Sequence, residues 1–275
     1  MTRAFEVHGV AVPPMLYGTA WKEDATAELV RLALASGFVG IDTANQRKHY
    51  FEAGVGEAIA GMPRERLFLQ TKFTYARGQD ARLPYDPNAS LTTQVEQSFA
   101  SSLEHLGVQH IDAYVLHGPH AGRGWTDLDR EVWRAMEGLH QAGHVRLLGV
   151  SNISREQLET LVDEASVPPS LVQNRCYART GWDREVRALC RDRGLLYEGF
   201  SLLTANRTEL GRPAVAAIAR RAGATIPQVV FRFAEAIGIV ALTGTSDRAH
   251  MHEDLAAHAI VLAPADVAII EAARA

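Results

Sequence analysis

Eight short apolar runs separated by helical stretches constrain this chain more than any other feature of its sequence. Residues 15–19, 38–42, 67–72, 111–117, 145–150, 171–173, 195–200 and 239–243 read as strands, and those of the first half each end in a polar residue. Helical spacing fills the gaps. Residues 24–35 place Leu29 and Leu32 on one face before Gly37 stops the helix, and further helices are expected over 52–60, 91–106 and 127–142. The second half continues with 154–164, 182–193, 212–222 and 226–236, then 248–258 and 264–273 after the last strand. Ser154 followed by Gln157 has capping-box spacing, and Gly194 closes the helix before the seventh strand. Eight strands in alternation with helices argue for a closed (β/α)8 barrel over an open doubly wound sheet. No linker, low-complexity tract or repeat interrupts them, so residues 1–275 are expected to form one α/β barrel domain with a short N-terminal hairpin and a C-terminal helix.

In such a barrel, functional groups gather where strands end and the following loops begin. That rule singles out Asp42, Lys72, His117, Ser151, Asn152, Gln173, Phe200 and Ser201 as candidates for one shared rim. The stretch 40–59, GIDTANQRKHYFEAGVGEAI, puts Asp42 at a strand end and Tyr50 a few residues later. A phenol, with an ordinary pKa of roughly 10, needs a neighbouring cation to give up its proton readily, and a carboxylate can hold that cation in place. Tyr50, Lys72 and Asp42 have this chemistry, and His117 adds a donor able to orient a carbonyl oxygen. Ser151, Asn152 and Gln173 suit a carboxamide, and Phe200 offers a face on which a ring can stack. A nicotinamide satisfies all four.

Composition excludes other classes. The net charge is -4 with basic residues scattered, which gives no electrostatic footprint for nucleic acid. No apolar run approaches the roughly 18 residues of a membrane span, and the N-terminus has no long apolar signal region. The two cysteines, Cys176 and Cys190, show no metal spacing, so a reducing, cytoplasmic compartment is expected. His117 and His120 form a His-x-x-His without a third ligand, and no metal is expected. Gly54 and Gly56 make a GxG that follows no strand and lacks a third glycine, so helix packing is the better reading than a phosphate loop.

GIDTA with a following Tyr and AGVGEAI, LFLQTKF, AYVLHGP, GHVRLLGVSN, LVQN, and LTGTS with HEDL together resemble the aldo-keto reductases, over residues 16–255. The resemblance implies a parallel barrel that binds NADPH, with NADH possible, and reduces aldehydes and ketones through an Asp, Tyr, Lys, His tetrad. The tetrad maps onto Asp42, Tyr50, Lys72 and His117. Cofactor contacts map onto Ser151, Asn152, Gln173, Phe200, Ser201, Leu203, Gly244, Thr245, Arg248, His250, Glu253 and Asp254. Two departures stand out. Family spacing counted back from Val55 and Gly56 lands on His49 rather than Tyr50, so His49 competes for the proton-donor place. The usual basic pair for the cofactor's 2'-phosphate falls on Gly244 and His250, leaving Arg248 as a substitute cation. The chain ends at Ala275 without the tail that walls the pocket in many relatives, so an open, shallow site is expected, walled by Trp21, Tyr50, His49 and Trp125. A small carbonyl substrate and a monomer or weak dimer complete the expectation. The alternatives are a reductase of specialised metabolism dedicated to one complex ketone or imine, and a cofactor-binding accessory or regulatory subunit with little catalysis.

Overall fold

The computed structural model describes residues 4–273. It opens with an antiparallel hairpin, β1 (Phe5–Val7) and β2 (Val10–Val12), turning at His8 and Gly9, both at positive φ. Eight parallel strands follow: β3 (Met15–Gly18), β4 (Gly40–Asp42), β5 (Phe68–Phe73), β6 (Ile111–Leu116), β7 (Val145–Ser151), β8 (Leu171–Arg175), β9 (Leu196–Phe200) and β10 (Ile239–Thr243). They pair in chain order, and β10 pairs with β3 to close the barrel. Around them lie α1 (Thr26–Ser36), α2 (Glu52–Ile59), α3 (Leu91–Leu106), α4 (Asp127–Gln141), α5 (Arg155–Glu164) and α6 (Arg184–Arg193). The short α7 (Arg207–Leu210) precedes α8 (Pro213–Ala222) and α9 (Ile226–Ala236), and α10 (Arg248–Ala256) and α11 (Pro264–Glu271) follow β10.

The strand order and the barrel are those expected from the sequence, with local differences that have physical causes. The second strand begins at Gly40 rather than at Phe38, because Phe38 turns its ring against Tyr17 (centroids 5.5 Å apart) and Val39 is half exposed. The sixth helix begins at Arg184 rather than Trp182, because Trp182 and Asp183 are both left-handed (φ 59° and 56°). The expected capping box forms: Ser154 Oγ accepts from Gln157 N–H, while Gln157 Oε1 accepts from Ser154 N–H. Gly54 and Gly56 serve helix packing. A Cβ at Gly54 would meet Thr26 and Ala27 on α1, and one at Gly56 would run into the His105 carbonyl on α3.

Two-residue periodicity along the strands sorts the barrel interior into layers. Leu16, Phe68, Ala113, Val115, Leu147, Leu171 and Val240 form an apolar cluster with the hairpin residues Val7, Val10 and Val12. Two residues further along β5, β8 and β9 come Gln70, Gln173 and Glu198, and two beyond Gln70 comes Lys72. The lower interior is thus oily and the upper interior polar. The larger hydrophobic cluster packs the helices against the outer face of the sheet.

Candidate active site

The register puts the first candidates side by side. Asp42 is the Cα partner of Gln70, Lys72 of Val115, and Ser151 of Gln173. Lys72 is fully buried; its Nζ donates to Asp42 Oδ1 at 2.6 Å and to the Thr43 carbonyl at 2.8 Å. Such a cation is held only by compensating charge and hydrogen bonds. Burial works against it, but Asp42 first, then Tyr50 and Glu198, raise its pKa above the ordinary lysine value. The Tyr50 ring centroid lies 5.2 Å from Lys72 Nζ and 5.8 Å from the His117 ring, edge to face. Burial raises the Tyr50 phenol above its usual range, and Lys72 pulls it back in part. The phenol is therefore protonated at neutral pH, with a cation placed to stabilise the phenolate once the proton leaves.

His117 follows β6, its Nδ1 2.7 Å from Thr74 Oγ1. Burial, with Lys72 and His49 acting in the same sense, lowers its pKa to about 3, so the imidazole is neutral. In the tautomer protonated at Nε2, the Thr74 hydroxyl is the donor to Nδ1 and Nε2–H is free to donate. Thr74 is a functional neighbour that the sequence reading did not name; its place one residue past β5, beside a rim histidine, was the available signal.

His49 is the competitor for the proton-donor place. Its ring stacks on Trp21 (centroids 3.8 Å apart), and its carbonyl accepts from the Trp21 N–H at 2.7 Å. Trp21 is 71% exposed, as a wall of an open cleft would be. Trp125, expected as another wall, is corrected: it is buried in the core and packs edge-on to Trp133, because its large apolar surface is better covered there than at a polar rim. His120 likewise packs against Tyr75 rather than pairing with His117.

Of the expected cofactor contacts, Ser151 and Gln173 are buried at the rim, and Asn152 is exposed in the left-handed region (φ 52°), which asparagine tolerates well. Asn152 Nδ2 donates to the His117 carbonyl at 2.9 Å and to Ser151 Oγ at 3.0 Å, tying the β6 and β7 ends together. Gln173 Nε2 is committed to Asp42 and Glu198, which leaves its carbonyl oxygen as the group for a carboxamide. Phe200 is partly exposed, with the Arg175 guanidinium 5.5 Å from its centroid, and Ser201 beside it has φ 58°. Trp21, Asn152 and Ser201 all hold positive φ, the kind of backbone strain that clusters at functional rims. Leu203 lies half-buried in the loop after Phe200, and Glu253 is half-buried on α10.

Past β10, Gly244, Arg248 and His250 are exposed and Thr245 is half-buried. Lys22, from the loop after β3, donates its Nζ to the Gly244 carbonyl at 2.7 Å, a cation beside this loop that the residue pattern did not single out; burial lowers its pKa to about 8. Asp247 caps α10 by accepting from Ala249 and His250 N–H. Asp254 is buried and accepts from Thr243 Oγ1 at 2.8 Å, which ties α10 to the end of β10.

The family model of the aldo/keto reductase family matches residues 15–275. The chain belongs to the aldo/keto reductase family. A glyoxal reductase of Bacillus subtilis is 28% identical over 238 residues, covering 86% of this chain and 79% of its own length. The solved aldo/keto reductase of Brucella melitensis is 26% identical, with a TM-score of 0.84 over 99% of this chain and 100% of that one. A silkworm (Bombyx mori) aldo-keto reductase solved in complex with NADPH is 23% identical, with a TM-score of 0.84 over 100% of this chain and 88% of that one, a likeness of fold. Asp42, Lys72 and His117 of this aldo/keto reductase thus sit at or next to the C-terminal ends of β4, β5 and β6, with Tyr50 in the loop after β4, on the face where (β/α)8 enzymes carry their chemistry.

Proposed function

We propose that this aldo/keto reductase reduces aldehydes or ketones to alcohols with Tyr50 as the proton donor. A bound nicotinamide, NADPH or NADH, supplies the hydride. The observation that carries the reading is the convergence of Tyr50 and His117 beside Lys72, the lysine clamped by Asp42. His117 Nε2–H donates to the carbonyl oxygen and fixes its direction. Tyr50 passes its proton to that oxygen as negative charge develops there, and Lys72 stabilises the phenolate left behind. Asp42 keeps Lys72 from turning away and offsets the cost of its burial.

The cofactor fits the residues present. The Gln173 carbonyl oxygen, Ser151 and Asn152 would hold the carboxamide, and Phe200 would face the ring. Thr245, Arg248 and Lys22 are the groups for the adenosine end. The exposed Trp21, stacked on His49, walls an open cleft that takes bulky carbonyl compounds as well as small ones. The NADPH complex of the silkworm relative and the glyoxal reductase activity named for the Bacillus relative point the same way. Residues 1–275 act as one domain in this reading, in the cytoplasm; among the described residues no helix is long and apolar enough to cross a membrane.

The test is to titrate protein fluorescence with NADPH and NADH, then follow reduced-nicotinamide absorbance over a panel from glyoxal to aromatic ketones. Cofactor-dependent turnover of both small and bulky carbonyls is expected. Tight cofactor binding with no turnover on any carbonyl would contradict the reading.

A further inference from the structure

One buried ionisable group has no part in the reaction as described. Glu198 on β9 is fully buried inside the barrel. Its Oε2 accepts from Gln70 Nε2 and from Gln173 Nε2, both at 2.8 Å. The same two nitrogens donate to Asp42 Oδ1, at 2.8 and 3.0 Å. Two glutamines from β5 and β8 therefore bridge two carboxylates from β4 and β9, and one of those carboxylates holds Lys72. Glu198 Oε1 and Gln70 Oε1 have no hydrogen-bond partner. A buried carboxylate is costly where an apolar side chain would fill the layer, so its presence calls for a use.

The charged groups facing Glu198 are Asp42 on β4 and Lys72 on β5. Its neighbour β8 presents the uncharged Gln173, and its other neighbour β10 (IVALT) has no charged residue. We propose that Glu198 is a positioning residue of the reductase site: it holds Asp42 and Gln173 in place through shared amide donors, and its ionisation sets how far Lys72 supports Tyr50. The proposal rests on the reductase reading above. Geometry supplies the linkage, since Gln173 donates to both the Asp42 and the Glu198 carboxylates and, in the reductase reading, would hold the cofactor carboxamide through its carbonyl oxygen.

Burial lifts Glu198 to about 7; Asp42 adds to the rise, while Gln70, Gln173 and Lys72 oppose it. Ionised, it sets a second negative charge beside Lys72, holds the lysine proton more firmly and makes the Tyr50 proton harder to release. Neutral, it only positions. Reduction should therefore slow as pH rises through about 7.

The experiment compares kcat for reduction, at saturating cofactor and carbonyl, in wild type and Glu198→Gln across neutral pH. A step of roughly tenfold in wild type is expected for one added charge about 12 Å away felt at an effective dielectric of ~20. Glu198→Gln, neutral and equally able to accept from both amides, should show no step and match the acid-side rate. Glu198→Leu, which strips the acceptor, should lower kcat at every pH and raise the cofactor KM by freeing Gln173. An infrared titration of the cofactor-free proteins, wild type minus Glu198→Gln, should show a protonated-carboxyl band that disappears near neutrality. A wild type without carbonyl turnover would sink the reductase reading, and the infrared titration would still decide whether Glu198 ionises there. An active wild type whose neutral step survives in Glu198→Gln would overturn this proposal alone, as would absence of the infrared band.

Discussion

At the scale of single residues, the site is arranged so that each group stands in the protonation state its task needs. His117 is neutral because burial and Lys72 oppose a second cation, and Tyr50 is protonated because burial opposes a phenolate. These states were only partly legible in the sequence. Asp42, Lys72 and His117 could be placed because each ends an apolar run, and strand ends are rim positions. Tyr50 could not be separated from His49 by spacing, since the loop has changed length; in the fold His49 stacks on Trp21 while Tyr50 faces Lys72 and His117. The amide bridge to Glu198 was invisible because it exists only once β4, β5, β8 and β9 close around a common interior. A pH prediction follows at this scale. The folded state keeps His117 neutral down to about 3, whereas an unfolded histidine takes up a proton below 6.5, so His117 stabilises the fold above 6.5 and that contribution is lost as pH falls towards 3. Glu198 has the opposite sense: its stabilisation is complete below 4.5 and is lost as pH rises through about 7. Relative to wild type, His117→Gln should gain stability as pH falls from 6.5 to 4.5, and Glu198→Gln should gain it as pH rises over the same window. Urea midpoints at a series of pH values check both, and parallel curves for all three proteins would refute the account of these two groups.

At the scale of elements, the strands were legible for a physical reason. A parallel strand covered on both faces reads as a nearly continuous apolar run, and its polar terminus marks where cover ends. Element ends were less legible because loop geometry sets them. Trp182 and Asp183 read as helix but take left-handed backbone, and α7 is too short to leave a periodic signal. Trp125 read as a rim aromatic, yet its loop folds it onto Trp133 eight residues along the chain. The placing of Tyr50 depends on α2, which packs between α1 and α3 through Gly54 and Gly56. Buried Glu52 on α2 adds to that packing, with hydrogen bonds to Thr71, Ser102 Oγ (3.2 Å) and His105 Nδ1 (3.2 Å). Gly56→Ala forces α2 away from the α3 backbone at His105, so it should cost ~1–3 kcal/mol, as overpacking of a tight contact does. Denaturant unfolding measures this directly, and a variant as stable as wild type would show that the two helices are not in firm contact.

At the scale of the whole molecule, the fold separates support from chemistry along the barrel axis. The hairpin and the lower interior are apolar, and polar groups gather towards the strand ends. The proposed binding of a nicotinamide and a carbonyl belongs to the polar end, where Trp21 is exposed. The central claim is that closure of this barrel makes Tyr50, and not His49, the acid that protonates the substrate. The measurement that tests it most directly is single-turnover reduction of an aromatic aldehyde by cofactor-loaded wild type, Tyr50→Phe and His49→Ala. Tyr50→Phe should slow the hydride-transfer step by about 10²–10⁴-fold, the usual weight of a general acid, with cofactor affinity unchanged, while His49→Ala stays within a few fold of wild type. A Tyr50→Phe enzyme that keeps the wild-type rate, or a His49→Ala enzyme that alone loses it, would contradict the account.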